Sequence, residues 1–351
     1  MNLCKQECYK LFIKRYFLLI LAILLIFDVL TVYKNIKSAS YLSPQSLEIY
    51  KKYIYKYQGD LTDEKIEEIE KIREEADTIF EEQEKLNTDY KNAVITLEEY
   101  ELRRSELNAY QGRLEGLNAF LRVYDSAMIN DMQIMDSTAW TVLLSGGNID
   151  IFAVTLVILL VISLCIYDRE TGIDYLKTTT LNGKKRLWRM QIFLIIMFSF
   201  MIGIIISVLK YYTADICYGL SGHFFRIQNI EVFENNTKNL TVLSAYIAES
   251  FIKTFGLIYL GILTYTIGIL LSSSLYTVFS GFVLVYLPAY IFNQKRLLYF
   301  LPFPSALLMP AGYLGGSFSE ASVAVYIIVI LAFSSVLLLL ANVLRKRRSI
   351  I

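Results

Sequence analysis

The chain has 351 residues, of which 55% are hydrophobic and 19% charged, and its mean hydropathy is +0.45. That is too apolar for the surface of a soluble protein of this length, and it excludes a fold surrounded only by water. The formal charge of +1 excludes no class of partner, because it averages regions of opposite sign.

One helix crosses the hydrocarbon core with roughly 20 mostly apolar residues, since every backbone amide must be satisfied inside the segment. Six segments meet that requirement: 16–33, 151–167, 190–209, 254–271, 272–292 and 321–344. The predicted fold is therefore all-α. It is a polytopic membrane protein with six transmembrane helices and a large extracellular insertion, a coiled-coil helical hairpin, between helices one and two.

In chain order, residues 1–15 carry Lys5, Lys10, Lys14 and Arg15 and form a basic N-terminus. The first span, 16–33, contains Asp28, the one formal charge within any of the six. A carboxylate near the bilayer centre costs roughly 2.5–3.5 kcal/mol on insertion scales, and such residues tend to be functional. Asp28 lies close to Tyr33 at the outer end, so two roles stand side by side: an interfacial aspartate that reaches water, or a pathway or helix-pairing residue. Ser38-Ala39-Ser40 would serve as a signal-peptide cleavage site. The apolar run is longer than a usual signal core, however, and its loss would leave five spans with a poorer charge pattern.

Segment 34–150 holds 14 lysines and arginines against 23 aspartates and glutamates, an excess of nine negative charges. A short helix, 44–57, precedes the turn signal Gln58-Gly59-Asp60. Ile69, Ile72, Ala76, Ile79, Gln83, Leu86 and Tyr90 then recur at spacings of three and four. Tyr100, Arg103, Leu107, Tyr110, Leu114, Leu117, Leu121, Tyr124 and Met128 do the same, as a coiled-coil seam requires. Thr96 with Glu99 forms a capping box for the second arm. The pattern predicts an antiparallel hairpin with arms of about 30 residues, roughly 45 Å long at 1.5 Å per residue. Ser145-Gly146-Gly147-Asn148 returns the chain to the membrane.

The second span, 151–167, is followed by 168–189, where YDRETGIDYLKTTTLNGKKRLWRM (167–190) concentrates positive charge between two apolar runs. After the third span, 190–209, segment 210–253 shows no clear periodicity. The fourth and fifth spans, 254–271 and 272–292, run together, and only Ser272-Ser273-Ser274 marks a break. Segment 293–320 carries Pro302, Pro304, Pro310, Gly312, Gly315 and Gly316, which argue against a straight span and for a half-buried or re-entrant element. The sixth span, 321–344, leads into a basic tail, 345–351, with Arg345, Lys346, Arg347 and Arg348. Basic residues beside span ends mark the cytoplasmic side. That rule places both termini and 168–189 in the cytoplasm, and 34–150 outside the cell.

Catalytic chemistry is not expected. His223 is the only histidine, which excludes HExxH and two-histidine metal sites. No GxxxxGK[ST] phosphate loop occurs, and Gly183-Lys184 lacks both its first glycine and its Ser or Thr. Cys4 and Cys8 form one CxxxC pair without a second, Cys165 lies in a span, and Cys217 stands alone, so neither a zinc site nor a disulfide framework is predicted.

Glu170, Gly172, Leu176 and Thr179 form the pattern E-x-G-x-x-x-L-x-x-T directly after the second span, with a basic cluster behind it. This resembles the cytoplasmic segment of type-two ABC transporter permeases, in which a short coupling helix rests on a separate ATPase subunit. Six spans, cytoplasmic termini and a Pro/Gly-rich element before the last span are similar as well. The large external hairpin departs from the family, as do Thr180 where many members have proline and Gln191 where many have lysine. The resemblance implies a permease subunit of an ABC exporter, with Glu170, Gly172, Ile173, Asp174, Leu176 and Thr179 coupling it to an ATPase subunit dimer. Arg186, Trp188 and Arg189 would anchor the return at the membrane interface. ATP and Mg would bind the partner and no cofactor would bind this chain. Further partners would be a second copy or a paralogous permease and the lipid bilayer, with no nucleic acid. The expected substrate is amphipathic or a peptide, and the acidic hairpin favours a cationic one. The rival expectation is a membrane-anchored sensor or envelope scaffold that acts through the hairpin.

Overall fold

The computed structural model describes residues 3–144, 149–173, 183–234, 236, 239–292, 302–310, 313 and 320–347. Among them every regular element is helical, and the only bridges are the isolated pairs Gly59–Ile134 and Arg226–Thr241. Among the described residues, five helices are long and apolar enough to cross a membrane. They are α2 (Phe17–Ala39), α7 (Ile151–Glu170), α8 (Gly183–Tyr218), α9 (Val242–Leu271) and α10 (Ser274–Phe292). A shorter apolar stretch, Ile328–Val343, lies in the last helix, α12 (Glu320–Arg347). These helices make the chain a membrane-embedded helical protein.

The helices outrun their hydropathy. α2 continues through Lys34, Asn35 and Lys37 to Ala39, so Asp28 sits near its middle rather than near its end. α8 is one helix of 36 residues that starts at Gly183 inside the basic cluster. At 1.5 Å per residue it rises roughly 54 Å, which exceeds the roughly 30 Å hydrocarbon core and leaves both of its ends outside. Between α9 and α10 the chain breaks at Ser272, whose left-handed φ of 56° ends the first helix.

α7 and α9 form the centre of the apolar bundle, with Val154, Leu156, Val157, Leu160 and Leu260 all buried. Without water to drive association, helices in lipid gain most from close van der Waals contact, which small residues permit. A Cβ at Gly261 would lie 2.8 Å from the Ile195 side chain, and one at Gly256 would lie 2.9 Å from Leu307. The latter contact seats α11 (Pro304–Leu308), a short buried helix before α12. Tyr259 donates to the carbonyl of Pro302 at 2.8 Å and Tyr326 to that of Phe303 at 3.4 Å, which pins its N-terminal approach.

Outside the apolar bundle, α3 (Pro44–Tyr57), α4 (Asp63–Lys91) and α5 (Leu97–Ile129) form a second body. The Thr96–Glu99 box closes reciprocally at 3.3 and 3.2 Å and starts α5. α4 and α5 run antiparallel, with Tyr90 stacked on Tyr100 at 4.3 Å near the tip and Tyr124 donating to Glu70 at 2.9 Å near the base. The base is not a two-helix seam. α3 packs on α5, where the absence of a side chain at Gly116 admits the Ser46 carbonyl, and Tyr50, Ile54 and Tyr57 of α3 share one core with Ile69, Leu117 and Phe120. Met128, placed on the seam by its spacing, is exposed. The short helix α6 (Thr138–Leu144) joins this body to the apolar helices through Trp140, which donates to the carbonyl of Ser221 at 2.7 Å and meets His223 edge-on.

Candidate functional site

Charged residues gather at both ends of α7. Asp150 caps its start and Asp168 lies in its last turn. They lie eighteen positions apart, or roughly 27 Å along the helix at 1.5 Å per residue, close to the thickness of a hydrocarbon core.

At the Asp168 end, the chain before α2 folds back as α1 (Leu3–Tyr9) and a single π turn, Lys10–Lys14. Tyr16, at φ 51°, then turns it into α2. The reversal brings two cations to Asp168, which is 1% exposed: Lys10 at 2.5 Å and Arg15 in direct contact. Lys10 also pairs with buried Glu7 and donates to the carbonyl of Leu164 at 3.1 Å. The Arg15 guanidinium lies 4.5 Å from the Tyr167 ring centre. Among the described residues, two carboxylates and two cations meet in this cluster.

Next along the chain, Glu170 accepts from the Ser274 backbone N–H at 3.3 Å and from its hydroxyl at 2.5 Å. It thereby caps α10, where a carboxylate also complements the helix dipole. Gly172 has φ +74° and nothing within 4 Å of where a Cβ would stand, so backbone conformation rather than space calls for glycine there. Ile173 is exposed. Asp174, Leu176 and Thr179 lie outside the described residues. Arg186 and Arg189 are exposed on the first turns of α8, and Trp188 between them packs against the apolar core.

At the Asp150 end, one carboxylate oxygen of Asp150 accepts from the N–H groups of Phe152 at 2.9 Å and Ala153 at 3.0 Å, as an N-cap does. Its other oxygen contacts the ammonium of Lys210 on α8. The same ammonium stands 3.3 Å from Oδ1 of Asp28, which is 3% exposed. Asp28, for which the sequence left an interfacial role and a pathway or helix-pairing role side by side, is thus buried beside a cation. On α9, Glu249 is 1% exposed and pairs with Lys253 at 2.5 Å, and both line a crevice that also holds Asp150 and Lys210. A larger cavity of about 430 Å³ adjoins it, lined by Asp28, Thr31, Asn35, Ser38, Asp150, Lys210 and Lys253 among others.

Sequence reasoning missed Lys210, Glu249, Lys253 and Asp168. The first three stand just beyond apolar runs, where hydropathy reads a charge as the end of a span. Longer helices carry them into the bundle. The spacing of Glu249 and Lys253 was one available signal, since residues four apart on a helix face each other. Asp168 was visible only as one more charge in a loop.

No protein-family model, no curated protein and no solved structure matches this chain.

Proposed function

We propose that the protein is the membrane subunit of an ABC exporter, driven by a separate ATPase dimer that binds ATP and Mg. In this reading α12 is a sixth span and α11 with its flanks is a re-entrant element. Both termini and 168–189 face the cytoplasm, while α3, α4 and α5 stand outside the cell. The permease acts with a second copy or a paralogue, and its substrate is an amphipathic molecule or peptide.

One observation carries the proposal. The end of α7 is tied to two other parts of the membrane region, to the N-terminal turn through Asp168 and to α10 through Glu170. A partner ATPase can drive a membrane protein only by pushing on a part joined rigidly to several helices, because packed helices shift as bodies. The stretch around Glu170, which resembles a coupling segment, has those attachments. Glu170 then acts as a brace within the chain, which leaves contact with the ATPase to Ile173 and the residues after it.

The test is co-purification. Full-length protein extracted in mild detergent from its native membrane should carry an ATPase with it, and Ile173→Asp should release that ATPase while the permease remains folded. Recovery of the chain free of any nucleotide-binding protein under several detergents would refute the exporter reading and favour a scaffold acting through the hairpin.

A further inference from the structure

The polar groups of α2 are not scattered. Asp28, Thr31, Asn35 and Ser38 follow one another at spacings of three, four and three, which places them on a single helix face. All four line the cavity of about 430 Å³. Val142, Leu143, Ile149, Ile151 and Phe152 add apolar surface to the same lining, beside Asp150, Lys210 and Lys253. A chamber with a polar stripe and apolar surface suits an amphiphile.

The charges around the chamber do not balance. Asp28 and Asp150 share the ammonium of Lys210, while Lys253 is matched by Glu249 at 2.5 Å. Among the described residues, three carboxylates face two ammonium groups, an excess of one negative charge. Oδ2 of Asp28 and both carboxylate oxygens of Glu249 are buried without a hydrogen-bond partner, and of these two side chains only Asp28 lines the chamber. A buried carboxylate oxygen without a donor is destabilising unless a cation or proton meets it. A proton would need no chamber, whereas a cation carried on a molecule would.

We propose that this chamber binds a primary ammonium group on an apolar stem, with Oδ2 of Asp28 as the principal acceptor and Asn35 and Thr31 as further acceptors along the stripe. The stem lies against Ile149 and Phe152, and the Lys253–Glu249 pair keeps a second positive charge from opposing entry. The site follows from geometry and charge alone. It stands whether or not an ATPase partner exists, and its test uses no ATP.

The probe is monodansylcadaverine, a fluorescent primary amine on an alkyl stem, titrated into the purified full-length chain in detergent. Saturable binding is expected, weakened by about tenfold or more in Asp28→Asn, because one charge-assisted hydrogen bond is lost. The N-acetyl derivative, which has the same stem and no charge, should bind the unaltered chain weakly, and this arm needs no variant to fold. Equal binding of the amine and its acetylated form, or of the unaltered chain and a folded Asp28→Asn, would overturn the proposal. So would a protonated-carboxyl band at neutral pH, assigned to Asp28 by its loss in the infrared spectrum of Asp28→Asn, because a proton would then hold the place of the amine.

Discussion

The two ends of α7 use the same residue types for opposite purposes. Around Asp168, two carboxylates meet two cations among the described residues, and the N-terminal turn is fastened to the end of α7. Around Asp150, three carboxylates meet two cations, and a cavity opens beside them. The difference teaches that a buried charge inside a membrane protein is informative only together with its neighbours. A balanced cluster fastens helices together, and an unbalanced one beside a cavity has capacity for a ligand.

The comparison breaks most readily at Asp168. Asp168→Ala leaves Lys10 and Arg15 largely buried without their shared partner, and a loss of about 3–5 kcal/mol is expected. Thermal unfolding in detergent should show it as a large fall in midpoint. Glu170→Ala removes only a helix cap on exposed groups, so the expected loss is about 1 kcal/mol. Glu170→Gln, which can still accept from Ser274, should recover most of it in the same assay.

Asp136, outside the membrane helices, sharpens the contrast by being buried without a full ion pair. Burial pushes its carboxyl above the ordinary range, against the N–H of Thr138 that donates to it at 3.1 Å. A carboxyl raised in the folded state favours folding while protonated and loses that contribution as pH rises through its folded value. Asp136→Asn should therefore be more stable than the parent at neutral pH. Its advantage should shrink as pH falls toward about 4, where the unfolded aspartate also takes up its proton.

The smallest effect is expected at Asp28. Asp28→Asn removes the surplus charge but also its ion pair with Lys210, and these opposing effects should leave stability within about 1 kcal/mol of the parent in either direction. A loss as large as that at Asp168 would erase the distinction between the two clusters.

Much of this architecture was legible in the sequence. Five of the six apolar runs fall in helices long and apolar enough to cross a membrane, and the Thr96–Glu99 box marked the start of α5 because a cap is a local device whose partners lie within one turn. The clusters were harder to see. Asp28 was visible as a lone charge, but its partner Lys210 lies far along the chain, on a helix whose polar end hydropathy had assigned to a loop. α3 was predicted as a separate helix, and its packing against α5 through Gly116 was not, because a glycine inside a helical pattern says only that something approaches closely. The link from Glu170 to Ser274 joins residues about a hundred positions apart and leaves no trace in local spacing.

The proposed function requires the two clusters to face opposite sides of one bilayer, with the Asp150 chamber outward and the Asp168 latch inward. Single cysteines at Ser38, in the chamber lining, and at Thr171, beyond the latch, test it in a chain whose native Cys4, Cys8, Cys165 and Cys217 are replaced by serine or alanine. With a membrane-impermeant maleimide, Ser38→Cys should label in intact cells and Thr171→Cys only after the membrane is opened. Labelling of both in intact cells, or of Thr171→Cys alone, would contradict the account.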